Sequence, residues 1–219
     1  MPVADVGLNP GRIPDALLLV VASCPHCPAV LASLAAMTKD GMLGRLEVVN
    51  AAVHPEVAEA LGARSLPWVR IGTFELTGLR SRTELEEWAR RAGSADGMAD
   101  YFHTLLKEGE LARVRAMIET QPQLLAELLP VVADPAASMN VRIGAGAIFE
   151  GLAGTAALQA LVPRLAGLAA QDDARIRADA CFYLGLSRSA AARPALVACV
   201  NDADAGVREF AAEALDELG

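Results

Sequence analysis

Three segments in the second half of the chain repeat one another. "VRIGAGAIFEGL" from residue 141, "IRADACFYLGL" from 176 and "VREFAAEALDEL" from 207 align on Arg142, Arg177 and Arg208, 35 residues apart (142 to 177) and then 31 (177 to 208). Three positions beyond each arginine stands Ala145, Ala180 or Ala211, and seven beyond stands Phe149, Leu184 or Leu215. Offsets of three and seven fall on one face of an α-helix, so each segment reads as an amphipathic helix burying the same positions. Second helices, "LQALVPRLAGLAA" and "RPALVACV", lie between them and lead to Asp172 and Asp202. A single helix pair of this kind cannot bury its apolar face alone. The pattern therefore demands stacking of neighbouring units into one continuous core.

Residues 139–219 resemble the HEAT-like repeat family on the strength of these aligned positions, and residues 98–133 read as a less regular helical pair or triplet on the same array. "GAGAIFEG" (144–151) has the look of a glycine-rich phosphate loop, but it follows no strand and lies inside a repeat helix. Small residues for close helix contact are the expectation there. The resemblance implies an interaction surface for a protein partner.

The first part of the chain follows a different grammar. From 16 to 92 an apolar run (17–22) leads to a helix (24–40) closed by Gly41, then the strand "RLEVVNAA" and the helix "HPEVAEALGA". "SLPWVRIG" and "FELTG" read as two short strands joined tightly at Gly72-Thr73, and "SRTELEEWARRAG" as a helix whose Ser81 and Glu84 have capping-box spacing. The order is βαβαββα, with the first two strands parallel and the last two an antiparallel hairpin. "RAGSADGMAD" (91–100) has no periodicity and suits a linker. Two domains are expected, an α/β domain over 1–93 and an all-α repeat array over 98–219.

Composition narrows the function classes. Of 19 basic and 27 acidic side chains, 9 and 10 lie in residues 1–95, so the excess acid belongs to the second half. No cluster of Lys and Arg is present to neutralise phosphates, which argues against nucleic acid. Every apolar stretch is interrupted short of a membrane span. Residues 1–22 lack a basic start, a long apolar core and a small-residue cleavage site, so a cytoplasmic protein is expected. Four cysteines are too few for a disulfide scaffold, and in a reducing compartment a close pair points to catalysis or metal binding.

That close pair is Cys24 and Cys27 in "SCPHCP", between the first apolar run and the first helix. Cys24 is read at the N-cap, where free backbone N–H groups and the helix dipole favour a thiolate, with a thiol pKa lowered from about 8.5 into the ~3.5–7.5 range. Cys24 is then the nucleophile and Cys27, one turn in, the resolving thiol. His26 lies between them, and as an imidazole that can be protonated near neutrality it would stabilise the thiolate further and so favour the reduced form, the mark of a stronger oxidant. Pro25 suits the first helical position, while Pro28 removes the N–H that would bond to the Cys24 carbonyl.

Taken with "SLPWV", where Pro67 opens a hairpin strand expected beside the CPHC turn, the first 93 residues resemble the thioredoxin superfamily in its short, glutaredoxin-like form. The resemblance implies a cis-proline at Pro67 beside the active-site sulfurs, and backbone groups of Leu66 offered to an extended substrate segment. Trp68 is read either at the rim of that site or in the core. The chain departs from the family in having Ser23 and Pro25-His26 around the cysteines, Leu18 in place of a buried acid, and only Gly78 of a glutathione-binding motif. Proton transfer to or from Cys27 is then left to water or another group, with Glu47 and His26 as the candidates.

Zinc is the competing chemistry for the cysteine pair, but a closed site needs about four ligands. No second pair follows, and His26 and His54 would serve only if their loops converged. No metal and no cofactor beyond the dithiol itself are expected. Cys181 and Cys199 read as buried apolar residues. The expectation is a thiol–disulfide oxidoreductase acting on a protein partner through Cys24 and Cys27, with the array as docking surface. The alternative is a non-catalytic adaptor or assembly factor whose CxxC senses redox state. Oligomeric state is not legible.

Overall fold

The computed structural model describes residues 13–94 and 96–218. The chain divides into two units between Met98 and Ala99.

In the first unit the elements run β1 (Ala16–Val20), α1 (Cys27–Lys39), β2 (Leu46–Asn50), α2 (Pro55–Ala60), β3 (Trp68–Ile71), β4 (Phe74–Thr77) and α3 (Arg82–Ala92). They form a mixed four-stranded sheet in the order β2-β1-β3-β4. β1 lies parallel to β2, with Ala16 opposite Leu46, and antiparallel to β3, with Leu19 opposite Trp68. β3 and β4 form the hairpin, Ile71 facing Phe74. The two-residue turn works because Gly72 takes a φ of 58°, a left-handed conformation that costs glycine little.

β1 is apolar throughout because it is central and covered on both faces. Leu17 and Leu19 join Trp68 in a cluster packed by Val57, Ala58 and Leu61 from around α2. Leu18, pointing the other way by strand alternation, is fully buried on the opposite face. There the Phe74 and Trp88 rings meet edge to face with centroids 5.3 Å apart, fixing α3 on the sheet, and α1 packs against α3. The Ser81–Glu84 capping box at the start of α3 is present in full.

Three expectations are corrected. α1 begins at Cys27, not Cys24, because Pro28 has no N–H to give the Cys24 carbonyl, and the first helical bond runs instead from the Val30 N–H to the His26 carbonyl at 3.3 Å. Pro25 therefore lies ahead of the helix, and Pro28 sits in its first turn, where the missing N–H would have been unbonded anyway. Trp68 is a core residue, 2% exposed, so it forms no rim. The stretch 91–100, expected as a linker, is helical at both ends, since α3 runs to Ala92 and the next helix starts at Gly97.

The second unit is helical: α4 (Gly97–Lys107), α5 (Leu111–Thr120), a 3-10 turn (Pro122–Glu127), α6 (Leu128–Val132), α7 (Met139–Gly151), α8 (Ala156–Gln159), α9 (Val162–Leu168), α10 (Ala174–Leu186), a 3-10 turn (Ala190–Ala192), α11 (Arg193–Cys199) and α12 (Ala205–Leu218). Ala145, Ala180, Ala211, Phe149 and Leu184 are buried as the repeat requires, and Leu215 is half-buried. The Phe149 and Tyr183 rings stack with centroids 4.2 Å apart, joining α7 to α10. Small residues permit close approach. A side chain on Gly185 would meet Ala214 Cβ at 2.8 Å, and one on Gly144 would meet Leu106 Cδ2 at 2.9 Å.

The aligned arginines are structural ties. Arg142 donates to both carboxylate oxygens of Asp179, at 2.9 and 3.0 Å, and Arg177 clasps Asp202 through two contacts of 2.8 Å. Arg177 also reaches back to the carbonyls of Gln171 and Asp172, and Arg208 does the same to those of Asp202 and Ala203. The same residue thus closes the turn before its helix in two successive repeats.

Candidate functional site

The strand pairing decides what can meet at Cys24. Because β3 runs antiparallel to β1, the carboxyl end of β1 and the amino end of β3 lie at one end of the sheet, together with the carboxyl ends of β2 and β4. Residues 21–26, 51–54, 62–67 and 78–81 therefore gather there.

After β1 the chain turns, and the Cys24 N–H donates to the Val21 carbonyl at 3.2 Å. Cys24 and Cys27 are joined in a disulfide, their Cα atoms 5.5 Å apart. The Cys27 backbone N–H donates to Cys24 Sγ at 3.1 Å. His26 holds the N-cap position and makes no side-chain capping bond, so the Cys24 sulfur satisfies a first-turn donor that no other side chain serves. Both sulfurs lie near the surface without being open to it: Cys24 is 9% exposed and Cys27 4%, beneath exposed Pro25, His26 and Pro28.

On the neighbouring strand the Leu66–Pro67 peptide bond is cis. Pro67 is buried, and its carbonyl accepts from the Gly78 N–H at 2.9 Å, extending the hairpin by one bond. Leu66 is half-buried, and among the described residues it makes no backbone–backbone hydrogen bond. Val53 and Leu79, 66% and 55% exposed, belong to the loops at this same end. The sequence reading missed both, because neither falls in a periodic pattern; an apolar residue just past a strand end was the available signal.

Two candidates for the Cys27 proton fare differently. Glu47 pairs with Leu17, three strand residues from Val20, which puts it about 10 Å toward the far end of the sheet. It is exposed there and cannot serve Cys27. His26 is at the right place and exposed. His54 is held 3.1 Å from Glu56, whose carboxyl lies below the usual range, first through its own backbone N–H and then through His54. Among the described residues no group of three or more His, Cys, Asp or Glu is placed to hold a metal.

Cys181 and Cys199 are free, buried thiols in the helical unit. Burial, then the neighbouring Cys199, pushes the Cys181 thiol far up, and Cys199 Sγ lies 3.7 Å from the Ala169 carbonyl. They are packing residues by every measure of exposure.

A sequence model of the HEAT repeat family matches residues 161–219, the stretch holding α9 to α12 and the Arg177 and Arg208 turns. No curated protein sequence matches the chain. No helix among the described residues is long and apolar enough to cross a membrane.

Proposed function

We propose that the first unit is a thioredoxin-like thiol–disulfide exchange domain and that the helical unit docks its protein partner. The observation that carries this is the Cys24–Cys27 disulfide at the start of α1, with a first-turn N–H aimed at Cys24 Sγ. When the disulfide is reduced, that N–H and the helix dipole favour a thiolate on Cys24 over one on Cys27.

The exchange proceeds in two balanced steps. The Cys24 thiolate attacks one sulfur of a client disulfide, forming a mixed disulfide and expelling the other client sulfur as a thiolate. Cys27 then loses its proton to water or a nearby base and attacks the Cys24 sulfur, forming the Cys24–Cys27 disulfide and releasing the second client thiolate. The client gains two electrons and the protein loses two. Run backwards, the protein's disulfide oxidises a client dithiol. His26 favours the reduced form by stabilising the Cys24 thiolate, which weights the couple toward oxidation of clients. The open backbone of Leu66, at the same sheet end as Cys24, gives a client segment main-chain groups to pair with.

Trapping tests the proposal. In full-length protein, Cys27→Ala leaves the mixed disulfide unresolved, so thiol-reversible adducts of clients on Cys24 accumulate in cytoplasmic extract. Absence of adducts on Cys24 contradicts it.

A second reading is supported by the HEAT-repeat match, since such arrays serve mainly as interaction surfaces. In it the chain is an adaptor whose cysteine pair only senses redox state. Undiminished partner capture and cellular function in Cys24→Ser/Cys27→Ser protein would favour the adaptor. Loss of function with capture intact favours exchange. A cytoplasmic setting belongs to both readings, because only four cysteines are present and two of them are free thiols.

A further inference from the structure

We propose that one face of the helical array, formed by α7, α10 and α12, is a docking surface for a basic amphipathic segment of a partner protein. This rests on the docking role given to the array above and adds the face and the chemistry of its occupant.

Met139 and Ile143 are each 64% exposed and lie four residues apart on α7, so they stand on one stripe of that helix. Phe210 on α12 is 38% exposed, and its ring lies 6.0 Å from that of half-buried Phe182 on α10. The Arg142–Asp179 pair binds α7 to α10 at 2.9 Å, one residue from Ile143 and three from Phe182. Met139 and Ile143 belong to the first helix of one repeat, and Phe182 and Phe210 to those of the next two, all on the side away from the buried positions three and seven beyond each aligned arginine. Exposed large apolar side chains gathered this way on a folded protein mark a contact surface.

Charge decides what covers it. The arginines of this region are committed internally: Arg142 to Asp179, Arg177 to Asp202, and Arg208 to the carbonyls of Asp202 and Ala203. Glu150 on α7 and Glu209, Glu213, Asp216 and Glu217 on α12 are exposed and make no ion pair among the described residues. Five carboxylates against the single charge of Arg208, which is held on carbonyls, leave the apolar stripe with a net acidic border. A second copy of the chain would bring the same charges and be repelled, as would an anionic membrane surface. A helical segment with apolar anchors at i, i+3 and i+4 and Lys or Arg beside them complements both features.

The test uses full-length Cys24→Ser/Cys27→Ser protein, so that exchange chemistry plays no part and its failure would leave this readout unchanged. The probe is a fluorescent helical peptide of about 16 residues built from Leu and Lys. It is expected to bind with an affinity that falls at high salt. Ile143→Asp, and separately Glu209→Lys/Glu213→Lys, should weaken binding by about tenfold or more. Glu59→Lys/Glu87→Lys in the first unit makes the same change in net charge and should leave affinity within about twofold. Three results overturn the proposal: no binding, equal losses in the array and control variants, or concentration-dependent self-association abolished by Ile143→Asp, which would make a second copy the occupant. The exposed glutamates have no internal partner to lose, so their reversal is read in folded protein even if Ile143→Asp perturbs α7.

Discussion

The backbone N–H of Cys27 lies 3.1 Å from Sγ of Cys24, so the nearest first-turn donor of α1 is already aimed at one particular sulfur. On the proposed reading, reduction leaves that donor in place and favours the anion on Cys24. In reduced protein, iodoacetamide at neutral pH is expected to modify Cys24 faster than free cysteine, whose thiol pKa is about 8.5. Cys27, Cys181 and Cys199, buried to 4%, 0% and 5% exposure, should label slowly until the protein unfolds. Peptide mapping of the labelled sites against time checks the order.

Replacing His26 by Ala should slow Cys24 alkylation and make the couple more reducing. An exposed charge pair contributes about 0.2–1 kcal/mol, and 1.4 kcal/mol corresponds to about 30 mV, so a shift of roughly 5–20 mV is expected. His26 is exposed and makes no capping bond, so the substitution should leave the melting temperature nearly unchanged. Equilibration of both proteins with glutathione buffers measures the difference.

In the array, the Asp202 carboxyl is held down at about 2, first by the Arg177 side chain and then by the Asp204 backbone N–H. A carboxyl depressed in the folded state stabilises it fully above its ordinary unfolded range near 3.8, and loses that contribution as pH falls toward 2. Asp202→Asn should therefore lower the melting temperature at pH 7. The gap between variant and parent should narrow below pH 4 and close near pH 2, which melting curves across that range will show.

Two glycines on array helices should respond in opposite directions. Gly185→Val forces a side chain into Ala214, 2.8 Å away, and is expected to cost about 1–3 kcal/mol. Gly167 on α9 faces open space, with nothing within 4 Å, so Gly167→Ala should stabilise by up to about 1 kcal/mol through helix propensity. Denaturant unfolding of both variants separates the two.

Legibility followed local pattern. The continuous apolar run of β1, the capping box at Ser81 and the helical spacing around each repeat arginine could be read because each is fixed by neighbours in sequence. The structure starts α1 three residues later than the sequence suggests, because the capping ability of Cys24 counts for less than the N–H that Pro28 lacks, without which the Cys24 carbonyl has no helical bond. Trp68 stayed ambiguous because its depth depends on α2 covering that face of the sheet. Glu47 looked usable only while its register was unknown; pairing with Leu17 sends it away from the cysteines. What the repeat arginines bind was invisible for the same reason, since Asp179 and Asp202 lie 37 and 25 residues from their partners.

The reduction potential of the Cys24–Cys27 couple tests the central claim most directly. Full-length protein is equilibrated in glutathione and dithiothreitol buffers, and the two thiols are counted by mass after alkylation. An exchange centre should titrate as one two-electron couple between about −270 and −120 mV, the span from strong reductants to strong oxidants of this chemistry. A couple below about −300 mV, resistant to the glutathione pool, would make the bond a structural staple and contradict the account.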